Sequence, residues 1–213
     1  MKTKSIFAGL VLASALASGG SQATTITGNA VQSISGIASN VYAYDQATVN
    51  LIGVADVGRL FMHQQSSLNF LAGDVSWIHM YDSSEAKISG GELSWLLMSD
   101  SSTANIYKSD ISWLVMGGDS IAHIYGSNFS YFGGHLSGNW GDGTPFSYWA
   151  VTGNAQGMPL LTIGPSPMPA NIVLHAVPVP ATLYLIGLAL PILAWVRRDL
   201  RAKPTPCGLV VKS

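Results

Sequence analysis

Three tryptophans, Trp77, Trp95 and Trp113, stand 18 residues apart, and the match between their surroundings runs well beyond tryptophan. Asp74-Val75-Ser76-Trp77-Ile78, Glu92-Leu93-Ser94-Trp95-Leu96 and Asp110-Ile111-Ser112-Trp113-Leu114 superpose, with Met80, Met98 and Met116, Ala86, Ala104 and Ala122, and Ile88, Ile106 and Ile124 in register. The period extends back to Asp56, Val57, Leu60 and Met62 and forward to Asn128, Phe129 and Phe132. After a small shift it resumes further upstream, where Tyr44-Asp45 to Leu51 aligns with Ser99-Asp100 to Ile106. A repeat this short restricts the fold. Eighteen residues are too few for a helix pair, and Gly90-Gly91 and Gly117-Gly118 would break helices. Short alternating apolar pieces separated by Gly, Ser and Asp suit one rung of a parallel β-solenoid (β-helix), each rung supplying two or three short strands. Rungs stack at ~4.8 Å, so five copies predict a rod of very roughly 25 Å. No rung can bury its apolar face alone, which is why several are needed.

Comparing copies assigns faces. The columns Leu60, Ile78, Leu96, Leu114, Phe132 and Val57, Val75, Leu93, Ile111, Phe129 are apolar throughout and are predicted to point inward, as are Phe70, Ile88, Ile106 and Ile124. The column Arg59, Trp77, Trp95, Trp113, Tyr131 contains an arginine, which is almost never buried unpaired, so it is predicted to face out. Strict alternation would set Leu93 and Leu96 on opposite sides, so a bend near Ser94 is required for both to face in.

Two outward features follow. Trp77, Trp95, Trp113 and Tyr131 form an aromatic strip, a candidate glycan-contact surface or a self-stacking ladder that stiffens the rod. Asp56, Asp74, Glu92 and Asp110 form an acidic column at one-rung spacing; these are solvated turn carboxylates or a weak candidate for bridging by Ca²⁺. Asp45, Asp82 and Asp100 read as Asx turns between strands. Beyond Phe132 the register fades, and Gly141-Asp142-Gly143 marks a hairpin-like turn, so residues 133–152 read as a cap over the solenoid end. Prolines and glycines make residues 153–176 a linker.

The termini carry targeting patterns. Lys2 and Lys4, an apolar run from Ile6 to Leu16 and small residues after it read as a helical secretory signal peptide over residues 1–23, with cleavage after Ala17 or Ala23. At the other end, Val177-Pro178-Val179-Pro180 precedes an uncharged run, Ala181 to Val196, and then Arg197, Arg198, Arg201 and Lys203. A helix over those 16 residues spans roughly 24 Å; with the preceding four residues and snorkelling arginines it reads as a transmembrane helix with a cytoplasmic basic end. Residues 204–213 then form a cytoplasmic tail. The parts over residues 177–203 resemble the PEP-CTERM sorting signal of Gram-negative bacteria, in which a Pro-x-Pro-type motif, a transmembrane helix and an Arg cluster occur in this order. Val179 stands where the name-giving Glu would be. The resemblance implies processing by an inner-membrane exosortase and a destination at the cell surface, in a species that makes extracellular polysaccharide.

Charge and chemistry narrow the function. Between Thr24 and Ala176 the chain holds three cations and ten acids, a net charge of −7. That argues against nucleic acid as partner. The single cysteine, Cys207, lies beyond the anchor, so an exported body has neither disulfides nor thiolate chemistry. No nucleophile elbow, zincin or phosphate loop is present. His63, His79, His123, His135 and His175 are not at metal-ligand spacing and default to surface or turn positions. No cofactor is implied. The expectation is an exported, non-enzymatic cell-surface or matrix protein with a structural or adhesive role in exopolysaccharide. The alternative is a polysaccharide lyase or hydrolase on the same scaffold, which would need a unique pair of carboxylates.

Overall fold

The computed structural model describes residues 23–153 and 167–178. Within them the chain is all-β: Ala23–Ile26 (β1), Val31–Ile34 (β2), Ile37–Ala43 (β3), Thr48–Leu51 (β4), Asp56–Met62 (β5), Ser67–Phe70 (β6), Asp74–Met80 (β7), Glu85–Ile88 (β8), Glu92–Met98 (β9), Thr103–Ile106 (β10), Asp110–Met116 (β11), Ile121–Phe132 (β12), His135–Trp140 (β13), Pro145–Thr152 (β14) and Ile172–Ala176 (β15). The first twelve alternate between two parallel ladders, β1-β3-β5-β7-β9-β11 and β2-β4-β6-β8-β10-β12, which makes a parallel β-solenoid of about six rungs. The signal-peptide and transmembrane segments expected at the ends lie outside the described residues. Among the described residues no helix is long and apolar enough to cross a membrane.

The register is the one the repeat demands. Trp77 pairs with Trp95 and Trp95 with Trp113, as do the methionines of the same strands. Each long strand bends at its third residue. Leu93 pairs with Ile111 and Trp95 with Trp113, while Ser94 and Ser112 drop out of the ladder. The bend lets both Leu93 and Leu96 enter the core, at 1% and 0% exposure, with Ser94 exposed between them. Inner columns run the height of the solenoid: Leu51, Phe70, Ile88, Ile106 and Ile124, and beside them Met62, Met80, Met98 and Met116, are all buried. Each such side chain contributes about 1.5–3 kcal/mol by leaving water, so the core is what makes a rung of 18 residues viable.

The corners follow from backbone chemistry. Gly28, Asp45, Gln64, Asp82, Asp100 and Gly118 occupy one left-handed turn position, with φ between 55° and 66°. Asp is among the residues that tolerate this conformation best after glycine. The reading of the aspartates as Asx turns needs correction. Their carboxylates do not bond within their own turn; they reach to the rung below. Asp100 accepts from the Asp82 amide at 3.1 Å, Asp82 from Gln64 at 2.8 Å, and Asp45 from Gly28 at 3.0 Å. The Gln64 side-chain oxygen likewise accepts from the Asp45 amide. A vertical polar ladder thus ties successive turns, beside the backbone bonds that join the same turns, Ser83 N–H to the Gln64 carbonyl at 3.0 Å and Ser101 N–H to the Asp82 carbonyl at 2.8 Å.

The period breaks at the sixth rung. β12 runs on for twelve residues, turns at Gly133-Gly134 (φ 58° and 87°) and returns as the antiparallel β13. A second hairpin leads to β14, which pairs parallel to β11 through Trp113–Trp149 and Leu114–Ala150. The expected columns are corrected accordingly. Phe132 is 82% exposed at the hairpin end, Phe129 is half-buried in the antiparallel part of β12, and Ala150, not Phe132, tops the Leu114 column. The stretch 153–176 is not all linker, because β15 adds a strand to β12.

Candidate functional site

The long strands present their outward columns as stacks of rings. Trp77, Trp95, Trp113 and Trp149 lie at centroid spacings of 4.9, 4.8 and 5.1 Å and within 10° of parallel. Trp149 occupies the place expected for Tyr131. Tyr131 instead lies in the antiparallel extension of β12, where its hydroxyl donates to the Ala150 carbonyl at 3.0 Å and burial pushes its phenol up. Trp149 lies 36 residues after Trp113, two full periods, so the phase survives the hairpin even though the intervening rung does not form.

Beside the tryptophans runs a second stack, Tyr42, Phe61 and His79, at 4.8 Å spacing, and beyond it a third, Tyr44, His63 and Tyr81, at 4.9 Å. In the later rungs Leu97, Val115 and Val151 take over the second column. All three are buried, and the tryptophans pack against them as a small apolar cluster separate from the solenoid core. The outer wall is therefore a laminate of side chains. Parallel rings at about 4.8 Å use one another's faces, so within the strip only edges remain for solvent or a partner. Offset or stacked aromatic pairs contribute about 0.5–1.5 kcal/mol each beyond their area, which makes the strip a source of rigidity.

The histidines, expected at surface or turn positions, are all half-buried, and His63 and His79 belong to these stacks. Burial, and then the neighbouring Arg59 and His63, pushes the His79 imidazole below its ordinary value. The neutral form is therefore favoured on folding. Stability contributed by His79 is complete above pH ~6.5 and is lost as the pH falls through that value toward the lower folded pKa. His79→Leu, which copies Leu97 of the next rung, should weaken the decline in melting temperature between pH 7 and pH 5. Equal slopes in the variant and the parent would place the acid sensitivity elsewhere. A second histidine cluster has no signature in the sequence: His123 Nδ1 meets His175 Nε2 at 2.9 Å, across 52 residues, and His175 stacks on Tyr125 and Tyr125 on Tyr107.

Asp56, Asp74, Glu92 and Asp110 do form a column, each paired with the next across adjacent rungs. All four are exposed, and among the described residues no group of three His, Cys, Asp or Glu side chains is placed to hold a metal. Of the sorting residues, Val177 donates its amide to Gly126 at 2.7 Å and Pro178 follows it. Val179, Pro180, Arg197 and Arg198 lie outside the described residues. Compared with protein-family models, curated proteins and solved structures, the chain matches none of them.

Proposed function

We propose that this is an exported bacterial cell-surface protein with a structural, non-catalytic role in an exopolysaccharide-rich envelope, delivered by its PEP-CTERM-like tail. The observation that carries the structural reading is the laminated outer wall. Tryptophans whose faces cover each other make a stiff rod, whereas a sugar-stacking strip would leave ring faces open. The acidic column favours the same role, since exposed carboxylates on four successive rungs keep a surface hydrated and soluble. The signal peptide, the anchor and an exosortase as processing partner belong to the reading on the strength of the terminal patterns, Lys2 and Lys4 with the following apolar run and Val177 to Arg198.

The test pairs retention with turnover. The full-length chain, in detergent, is passed over envelope polysaccharide, and both bound protein and newly formed reducing ends are measured. Retention with no reducing ends is the expected result. Release of reducing ends, or of unsaturated uronate, would establish the lyase or hydrolase alternative instead. Sorting is read separately: replacing Arg197 and Arg198 by alanine should leave the protein unprocessed or mislocalised in the cell of origin, and normal processing of that variant would remove the sorting component.

A further inference from the structure

Where β15 closes onto β12, the fold brings together two imidazoles 52 residues apart. The strands pair in parallel from Ala122–Ile172 to Gly126–Ala176, which sets His175 opposite Tyr125 and diagonally across from His123. Both histidines are half-buried, so neither ring is sealed from solvent. Their facing nitrogens, His123 Nδ1 and His175 Nε2, stand 2.9 Å apart.

The surroundings hold the rings in place. His175 stacks on Tyr125 at 4.5 Å and 11° from parallel, and Tyr125 on Tyr107 at 4.4 Å and 10°. The Tyr107 ring carries Lys87 Nζ at 5.7 Å from its centre. Asn105 pairs with His123 from the rung below, and its Oδ1 accepts from the Tyr125 hydroxyl at 3.4 Å. The pair therefore has neutral oxygen donors beside it and no carboxylate in contact, which leaves little for Ca²⁺ or Mg²⁺ to bind.

Without a cation, one of the two facing nitrogens donates its N–H to the other. If that proton moves to the far nitrogen of its own ring, both facing nitrogens offer lone pairs and the net charge is unchanged. A slight turn of either ring aims both at one ion, and neutral imidazole is the form that binds metal. At metal–nitrogen distances of about 2.0–2.1 Å, two ligands at right angles stand about 2.9 Å apart, and a tetrahedral pair about 3.3 Å apart. The observed separation is the right-angle one, which suits the tetragonal coordination of Cu²⁺ or Ni²⁺ better than the tetrahedral coordination of Zn²⁺. We propose that His123 and His175 form a binding site for a tetragonal divalent cation, Cu²⁺ foremost, with water completing its coordination. Among the described residues β15 pairs with β12 alone, so the ion would staple an edge strand to the solenoid. Such binding needs no polysaccharide and no processing of the tail.

The experiment titrates the full-length chain in detergent, untagged and carrying Cys207→Ser to remove its thiol, with Cu²⁺, Ni²⁺ and Zn²⁺ in turn by calorimetry. One Cu²⁺ per chain should bind, Ni²⁺ more weakly and Zn²⁺ more weakly still. His123→Ala and His175→Ala should each weaken Cu²⁺ at least tenfold. His63→Phe, which keeps a ring in its own stack, should leave the affinity unchanged. Pulsed electron paramagnetic resonance of the Cu²⁺-loaded parent should show two equatorial imidazoles, a reading that does not depend on any variant folding. Amide exchange across β15 should slow at saturating Ni²⁺. Fewer than two imidazoles, or unchanged affinity in either alanine variant, would mean adventitious binding and overturn the proposal. Absence of Cu²⁺ binding, Zn²⁺ binding more tightly than Ni²⁺, or exchange across β15 that ignores the ion would overturn it as well.

Discussion

Gly91→Ala should cost the solenoid about 3 kcal/mol or more, read as a shift in the urea midpoint of the full-length chain. Two penalties coincide at this corner. Gly91 has φ +80°, which an L side chain rarely adopts, and a Cβ there would stand 2.7 Å from the Gly73 carbonyl oxygen and less than that from the Phe70 ring. Phe70 is fully buried and cannot swing away without opening the core. Gly53→Ala isolates the first penalty, because Gly53 has φ +63° with open space where the Cβ would go. It should cost about 1 kcal/mol, the usual penalty for a non-glycine residue in the left-handed region. If the two variants proved equal, packing of one rung's corner onto the next would not be what demands glycine at position 91.

Trp95→Ala should be the second large effect, about 3–4 kcal/mol, with retention on polysaccharide unchanged. Trp95 has a ring on either side, at 4.9 and 4.8 Å, so its loss breaks the ladder into two pieces. Truncating a packed tryptophan costs about 3–5 kcal/mol; half-burial pulls the figure down, and two lost stacking partners pull it back up. Trp95→Phe should recover about half, since a smaller ring still stacks. A stable Trp95→Ala variant that no longer holds polysaccharide would reverse both expectations and return the strip to glycan contact.

Both predictions come from vertical neighbours, which is also where sequence and structure divide. Stacking of identical units turns sequence spacing into spatial adjacency, so the columns are legible in the string of residues itself. Leu60, Ile78, Leu96 and Leu114 line the core because they occupy one phase of the repeat. Two inward columns an odd number of residues apart require the bend at Ser94, and the ladder skips that residue.

The end of the repeat is a different matter. Tyr131 and Phe132 continue the period in the string of letters, but Gly133-Gly134 directly after them supplies two successive positive-φ residues, which turn β12 back as a hairpin. The turn chemistry is legible there, and it overrides the repeat. Trp149 can be found by stepping two periods from Trp113. The His123–His175 contact cannot, because β15 reaches β12 from 52 residues away and no spacing rule reports such a return.

The amino-acid sequence alone determined the parallel solenoid, its inner columns and the outward setting of its tryptophans, since a period of 18 converts local pattern directly into neighbours one rung apart. Only the tertiary structure decided that those tryptophans cover one another's faces, what the turn carboxylates grip, and where the chain turns back into its cap. Those depend on the orientation of ring planes, on side chains reaching amides of the adjoining rung and on how the last strands pair, none of which the residue types alone report.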